Sequence, residues 1–184
     1  MEDIKDRLGE YKYNFFKNLQ NYLDTELIFY GSIKRYDYFS SASDVDITII
    51  NENVSSVLSK LQNYLKLHKY NVKKIYQKYN VTSTDLVSGY KIKYNDPDHD
   101  LVFDILIYDE RYRDIVMENI NSINTLPTYM VILLFILKYI YYTLYLIPRS
   151  YFLYCKNNLF YMYFNKTIWI YEKNEMSTII LDNF

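Results

Sequence analysis

Three aspartates and a glycine–serine pair hold the strongest chemical signal in this 184-residue chain. Asp44 and Asp46 lie two apart in an alternating segment, Asp44–Ile50. In an extended chain Asp44, Asp46 and Thr48 face one way, and Val45, Ile47 and Ile49 the other. Two anions on one face repel, and each favours protonation or separation. A divalent cation between them removes that penalty. Asp104 lies within Leu101-Val102-Phe103-Asp104-Ile105-Leu106-Ile107, an otherwise apolar strand. A lone carboxylate there is an uncompensated charge unless something positive meets it. If the two strands are neighbours, the three aspartates make an oxygen cage. Such a cage suits a hard ion such as Mg²⁺ (or Mn²⁺), whose remaining ligands are waters and substrate phosphates. Two ions there would orient the attacking and leaving oxygens of an in-line displacement.

Gly31-Ser32 supplies a complementary element. Glycine lets the backbone approach a phosphate closely. The free N–H groups of a strand-to-helix turn bind anions, and a serine hydroxyl adds a donor. Eleven residues separate Ser32 from Asp44. Tyr30-Gly31-Ser32, then Asp44-Val45-Asp46-Ile47, then Asp104 in an apolar strand, resembles the DNA polymerase β-type nucleotidyltransferase superfamily. The resemblance covers residues 26–108, the palm of that family. Leu126-Pro127 through Lys138-Tyr139 is similar to the central-domain helix of noncanonical poly(A) polymerases and terminal uridylyltransferases. Ser150-Tyr151 falls where those enzymes carry a Ser-Tyr pair. Ile147-Pro148-Arg149 replaces their glycine-rich approach, and Leu134 stands where a second helix lysine would be.

The resemblance implies the following roles. Asp44 and Asp46 hold metal ions, while Asp104 helps bind the catalytic one and activates the acceptor hydroxyl. Gly31, Ser32, Lys138 and Ser150 bind the nucleotide's phosphates, and Tyr151 stacks on the base. The reaction moves a nucleoside monophosphate from ATP or UTP to a hydroxyl, on an RNA 3′ end or a small molecule, and releases pyrophosphate. Such chemistry depends on positioning and charge neutralisation. That suits a chain whose only histidines are His68 and His99. The competing reading is a palm that binds nucleotide or a partner protein without catalysis, as in antitoxin-like relatives.

These residues need a scaffold. Ile4, Leu8, Tyr11, Phe15, Leu19 and Tyr22 recur at helical spacing and predict a helix over 3–23. Strands are predicted at 26–30, 44–50, 71–78, 86–94 and 101–108, with a hairpin loop over 95–100. Asn51 or Asn53 caps a helix over 54–69, and a further helix is expected over 109–119. Residues 129–147 are apolar apart from Lys138. A helix buried on all sides is preferred there to a membrane span, because a lysine near the centre of a span is costly. Residues 151–164 fit helix or strand, and 166–181 look strand-like. The expected architecture is α+β: a palm over 1–112 with a mixed, largely antiparallel sheet of about five strands flanked by helices. A short helical or mixed appendage, a truncated central domain, follows over 113–184.

Composition narrows the function classes. Half the residues are apolar, so a core is available and wholesale disorder is excluded. Cys155 is the only cysteine, which excludes a disulfide scaffold and leaves a thiol nucleophile without an identifiable base. No secretory leader is apparent, so a cytoplasmic location is expected. The net charge is −1, unlike a polycation that coats nucleic acid. A local excess exists between Lys60 and Lys93, with eight lysines against Asp85 alone. It fits a solvated face or a phosphate-tracking groove. With 24 tyrosines, aromatic density says little about base stacking. The apolar surface of 129–164 calls for a homodimer or a second subunit to cover it.

Overall fold

A computed structural model describes residues 2–68, 71–78, 86–164 and 169–172. The chain is α+β, with one mixed open sheet flanked by helices. The strands are β1 (Ile28–Tyr30), β2 (Val45–Asn51), β3 (Val72–Lys78), β4 (Val87–Asp96), β5 (Leu101–Asp109) and β6 (Trp169–Glu172). Their spatial order is β1-β2-β5-β4-β3-β6. Among the described strands only β2 and β5 run parallel; every other neighbouring pair is antiparallel. The five predicted strands are all present, and β6 adds a short edge. The rest of the strand-like tail lies outside the described residues.

The alternation in β2 and β5 divides the sheet into two faces. Val45, Ile47, Ile49, Phe103, Ile105 and Ile107 form one core with helices α1 (Lys5–Leu23) and α2 (Val54–Leu65). Leu8, Phe16, Leu19 and Leu23 bury the inner stripe of α1. The predicted stripe differs at Tyr11 and Tyr22, which are exposed, because a kink at Gly9 resets the helical phase. Asn53 is the α2 cap: its side chain accepts a hydrogen bond from the Ser56 N–H at 3.0 Å. The helix stops at Lys66, which is in the left-handed region.

The opposite face is half covered. Helix α3 (Arg113–Asn124) lays Val116 and Ile120 over Ile50, Ile75, Val87 and Tyr108. Helix α3 was assigned from sequence to the appendage; its contacts place it with the sheet. Gly89 lets the Tyr108 ring cross β4. A Cβ on Gly89 would lie 2.6 Å from that ring and 2.7 Å from the Ile107 carbonyl oxygen. The Tyr108 hydroxyl donates to the buried Gln77 side chain. Beyond α3 the same face carries the aspartates.

Helices α4 (Thr128–Tyr142) and α5 (Arg149–Phe164) pack on each other. Residues 151–164 are therefore helix. The expectation that 129–147 is a helix buried on all sides fails in two ways. The helix ends at Tyr142, and it buries Met130, Val131, Leu134 and Lys138 while exposing Ile132, Leu133, Phe135 and Ile136. Among the described residues no single helix is long and apolar enough to cross a membrane. Glu110–Asn124 and Thr128–Tyr142 reach that length only together, across a 73° bend.

Gly89→Ala should cost about 1–3 kcal/mol, because both the ring and a backbone oxygen would have to move. A lowered thermal midpoint by circular dichroism checks this.

Candidate functional site

The parallel register of β2 and β5 sets Asp46 directly beside Asp104. Residues opposite each other in paired strands point to the same face, about 4.8 Å apart across the pair. Asp44, two residues before Asp46, shares that face. All three carboxylates therefore lie at one end of the same sheet face.

Gly31 completes this end. Strand β1 runs into a 3-10 turn over Gly31–Lys34, and Gly31 has φ +75°, which glycine tolerates and other residues resist. A Cβ there would sit 2.8 Å from Asp46 Oδ2, so only glycine admits this approach of backbone to carboxylate. The Gly31 N–H donates to Asn124 Oδ1 at 2.9 Å. Ser32 is buried in the same turn.

Burial pushes the Asp46 carboxyl up to about 6; Lys156 opposes the shift, Asp104 and Asp44 add to it, and Lys138 opposes it more weakly. Two lysines of β4 meet the other carboxylates. Lys91 Nζ lies 3.0 Å from Asp104 Oδ2, and Lys93 Nζ lies 3.5 Å from Asp44 Oδ2. Among the described residues, Asp104 Oδ1 is buried without a hydrogen-bond partner. Among the described residues no three His, Cys, Asp or Glu side chains are gathered closely enough to hold a metal as they stand. The donor set nonetheless suits a hard cation: every donor is a carboxylate oxygen, and one of them is orphaned. Closing the cage requires Asp44 and Asp104 to leave their lysines.

Lys138 does not reach toward this face as a free cation. It is buried, donating to the Asp37 carbonyl at 2.8 Å, and lies 3.1 Å from Asp37 Oδ2. Asp37 is fully buried. Arg35 grips the same carboxylate through Nε at 2.8 Å and NH2 at 3.1 Å, and donates from NH1 to the Ile123 carbonyl. Burial raises the Asp37 carboxyl, but the Arg35 and Lys138 charges outweigh it and hold it below the usual range. Burial lowers the Lys138 ammonium; Asp37 opposes that shift, and Lys156 and Arg35 add to it. The expected phosphate lysine is thus committed to the loop that follows Gly31-Ser32. Arg7 reinforces that loop, donating to the Ile33 and Arg35 carbonyls.

Ser150 and Tyr151 are exposed in the first turn of α5. The ring partner of Tyr151 is Tyr154, and no described contact links the pair to the aspartates. Sequence reasoning missed Lys156. It follows Phe152 by one helical turn, and Phe152 is buried against Tyr141 and Tyr142, so Lys156 shares the inner face of α5. It is half-buried and has no ion pair among the described residues. The available signal was a lone lysine in a Tyr- and Phe-rich helix. Lys91 and Lys93 were visible as charge but not as partners of particular aspartates. Nothing local marked Arg35 and Asp37. His99 is exposed, stacking on Tyr11 with ring centroids 4.4 Å apart and meeting Asp96 at 2.9 Å.

No family model matches the chain, and no curated protein matches it. The polymerase β-type resemblance therefore rests on these residues and their geometry.

Asp37→Asn leaves two buried cations facing a neutral group and should cost about 3–5 kcal/mol in urea unfolding. Because the folded pKa of Asp37 is depressed, its contribution is present above the unfolded value of about 3.9 and is lost as pH falls through the folded value. The wild-type protein should show that acid-side loss, and the variant should lack it.

Proposed function

We propose that this chain is a metal-dependent nucleotidyltransferase with a polymerase β-type palm. The observation that carries the reading is the Asp46–Asp104 register beside the Gly31 turn. Asp44, Asp46 and Asp104 would hold Mg²⁺, which when bound neutralises phosphate charge and polarises the reacting oxygens. The acceptor hydroxyl oxygen attacks the α-phosphorus of ATP or UTP. A new P–O bond forms, the bond to the β-phosphate oxygen breaks, and pyrophosphate leaves. Asp104, whose Oδ1 has no other partner among the described residues, would take the hydroxyl proton. Ser32 and the Gly31 N–H would contact phosphate once Asn124 gives way. Lys156, rather than Lys138, is the α-helical cation available to the leaving pyrophosphate. Tyr151 would serve as the base platform only if the first turn of α5 closes over the sheet.

The acceptor is an RNA 3′ end or a small molecule. The exposed apolar side chains of α4 and α5 support a second copy or another subunit over that surface. A second reading is a non-catalytic palm that binds nucleotide or a protein. The lysine pairs at Asp104 and Asp44 favour it, since they neutralise the site without metal.

With Mg²⁺, a labelled NTP panel and oligoribonucleotide or small-molecule acceptors, the wild-type chain should transfer label. Asp44→Ala with Asp46→Ala should abolish transfer; surviving activity refutes catalysis at this site. Thermal stabilisation by Mg-NTP without turnover would favour the binding module. Lys156→Ala should raise the KM for NTP at least about tenfold, the loss of one charge-assisted phosphate contact, while Leu153→Ala nearby should not.

A further inference from the structure

We infer that Lys91 and Lys93 form a phosphate-binding site that is masked by the aspartates and opened when a divalent ion takes those aspartates. The inference rests on the metal-dependent reading above. Register places the two lysines. Lys93 pairs with Asp104 across β4 and β5, and Lys91, two residues away, shares its face. Lys73 of β3 pairs with Lys91 and falls on the same face. This end of the sheet therefore carries acidic positions on β5 and at the start of β2, and basic positions on β4 and β3.

Two of these lysines are held by the carboxylates a metal would need, at 3.0 Å for Lys91–Asp104 and 3.5 Å for Lys93–Asp44. The Lys93–Asp44 pair is solvent-accessible, its side chains 55 % and 45 % exposed, while the Lys91–Asp104 pair is partly buried, at 30 % and 16 %. Accessible pairs such as the first are weak and exchange readily. The Arg35–Asp37–Lys138 cluster is the opposite case, fully buried and closed to exchange. A divalent ion on the aspartates would leave Lys91 and Lys93 beside it with no counter-ion. Anionic oxygens would then be their natural partners, and the anion placed one strand from the reacting centre is the phosphodiester chain of a single-stranded polynucleotide acceptor. The same chemistry could be met by the phosphates of the nucleotide itself, so the test separates the two sources.

Binding of a labelled oligoribonucleotide, without NTP, is followed by fluorescence anisotropy on the full chain at matched ionic strength. Mg²⁺ ordinarily weakens such binding by competing for phosphate. Here it should tighten binding severalfold, and steepen the dependence of log Kd on log salt by about 1.4, two lysines at about 0.7 each. Asp44→Asn with Asp104→Asn should bind the strand tightly without Mg²⁺ and show only the ordinary weakening when it is added. Lys91→Gln with Lys93→Gln, checked for native circular dichroism, should lose the Mg²⁺-enhanced part. Wild-type binding that Mg²⁺ weakens, or an Asp→Asn variant that behaves like wild type, overturns the inference. Displacement of the strand by stoichiometric tripolyphosphate would assign the lysines to the nucleotide and overturn the acceptor assignment. Tight metal-free binding by the Asp→Asn variant, in a protein that transfers no nucleotide, keeps the masked site and removes the catalytic reading.

Discussion

Placing two carboxylates side by side in adjacent parallel strands is unfavourable in isolation, and this protein does it where β2 meets β5. Desolvation and mutual repulsion both act against ionisation there, and the Asp46 carboxyl shows it, raised to about 6 by burial above all. A fold that keeps such a pair must supply positive charge. Among the described residues Lys91 and Lys93 from β4 and Lys156 from α5 supply it, with a weaker contribution from Lys138. The first two already touch carboxylates, and the third acts at longer range. The arrangement of this face follows from that requirement, as does the glycine that lets the β1 turn approach Asp46.

The second organising feature lies behind the first. Arg35, Asp37 and Lys138 join the loop after β1 to the end of α3 and to α4 through one buried carboxylate. Replacing such a cluster by apolar groups of similar size would not necessarily destabilise a protein. Its value here is geometric. It fixes where the Gly31-Ser32 turn sits relative to the sheet, and it ties α4 to that turn. Lys138 is therefore a positioning residue. The two kinds of ion pair divide the work: the buried cluster holds shape, and the more exposed pairs near the aspartates can exchange.

Much of this was legible locally. Alternation in 44–50 and 101–107 put the aspartates on one face of each strand, and the hydrophobic spacing of 54–65 found α2 and its asparagine cap. Within the turn-rich hexamer 95–100, Pro97–His99 forms the 3-10 turn between β4 and β5, with Asp96 accepting from the Asp98 N–H, while β4 runs on through Asp96. Other readings failed for identifiable reasons. The α1 stripe shifted because a single glycine kinks the helix. The apolar run 129–147 broke at Tyr142, and the positive φ of Tyr145 turns the chain before Pro148. Its all-round apolarity gave no clue that one flank stays exposed.

Sequence by itself determined which residues are acidic, which face of each strand they occupy, and where glycine permits close approach. Those properties are local, because side-chain alternation and backbone freedom depend on a few neighbouring residues. Only the tertiary structure decided that β2 and β5 are neighbours in parallel register, that Lys138 is given to Asp37, and that Lys91 and Lys93 answer Asp104 and Asp44. Those pairings span from about a dozen residues to about a hundred along the chain, and charge partners at such separations are chosen by packing, which no short window of sequence contains.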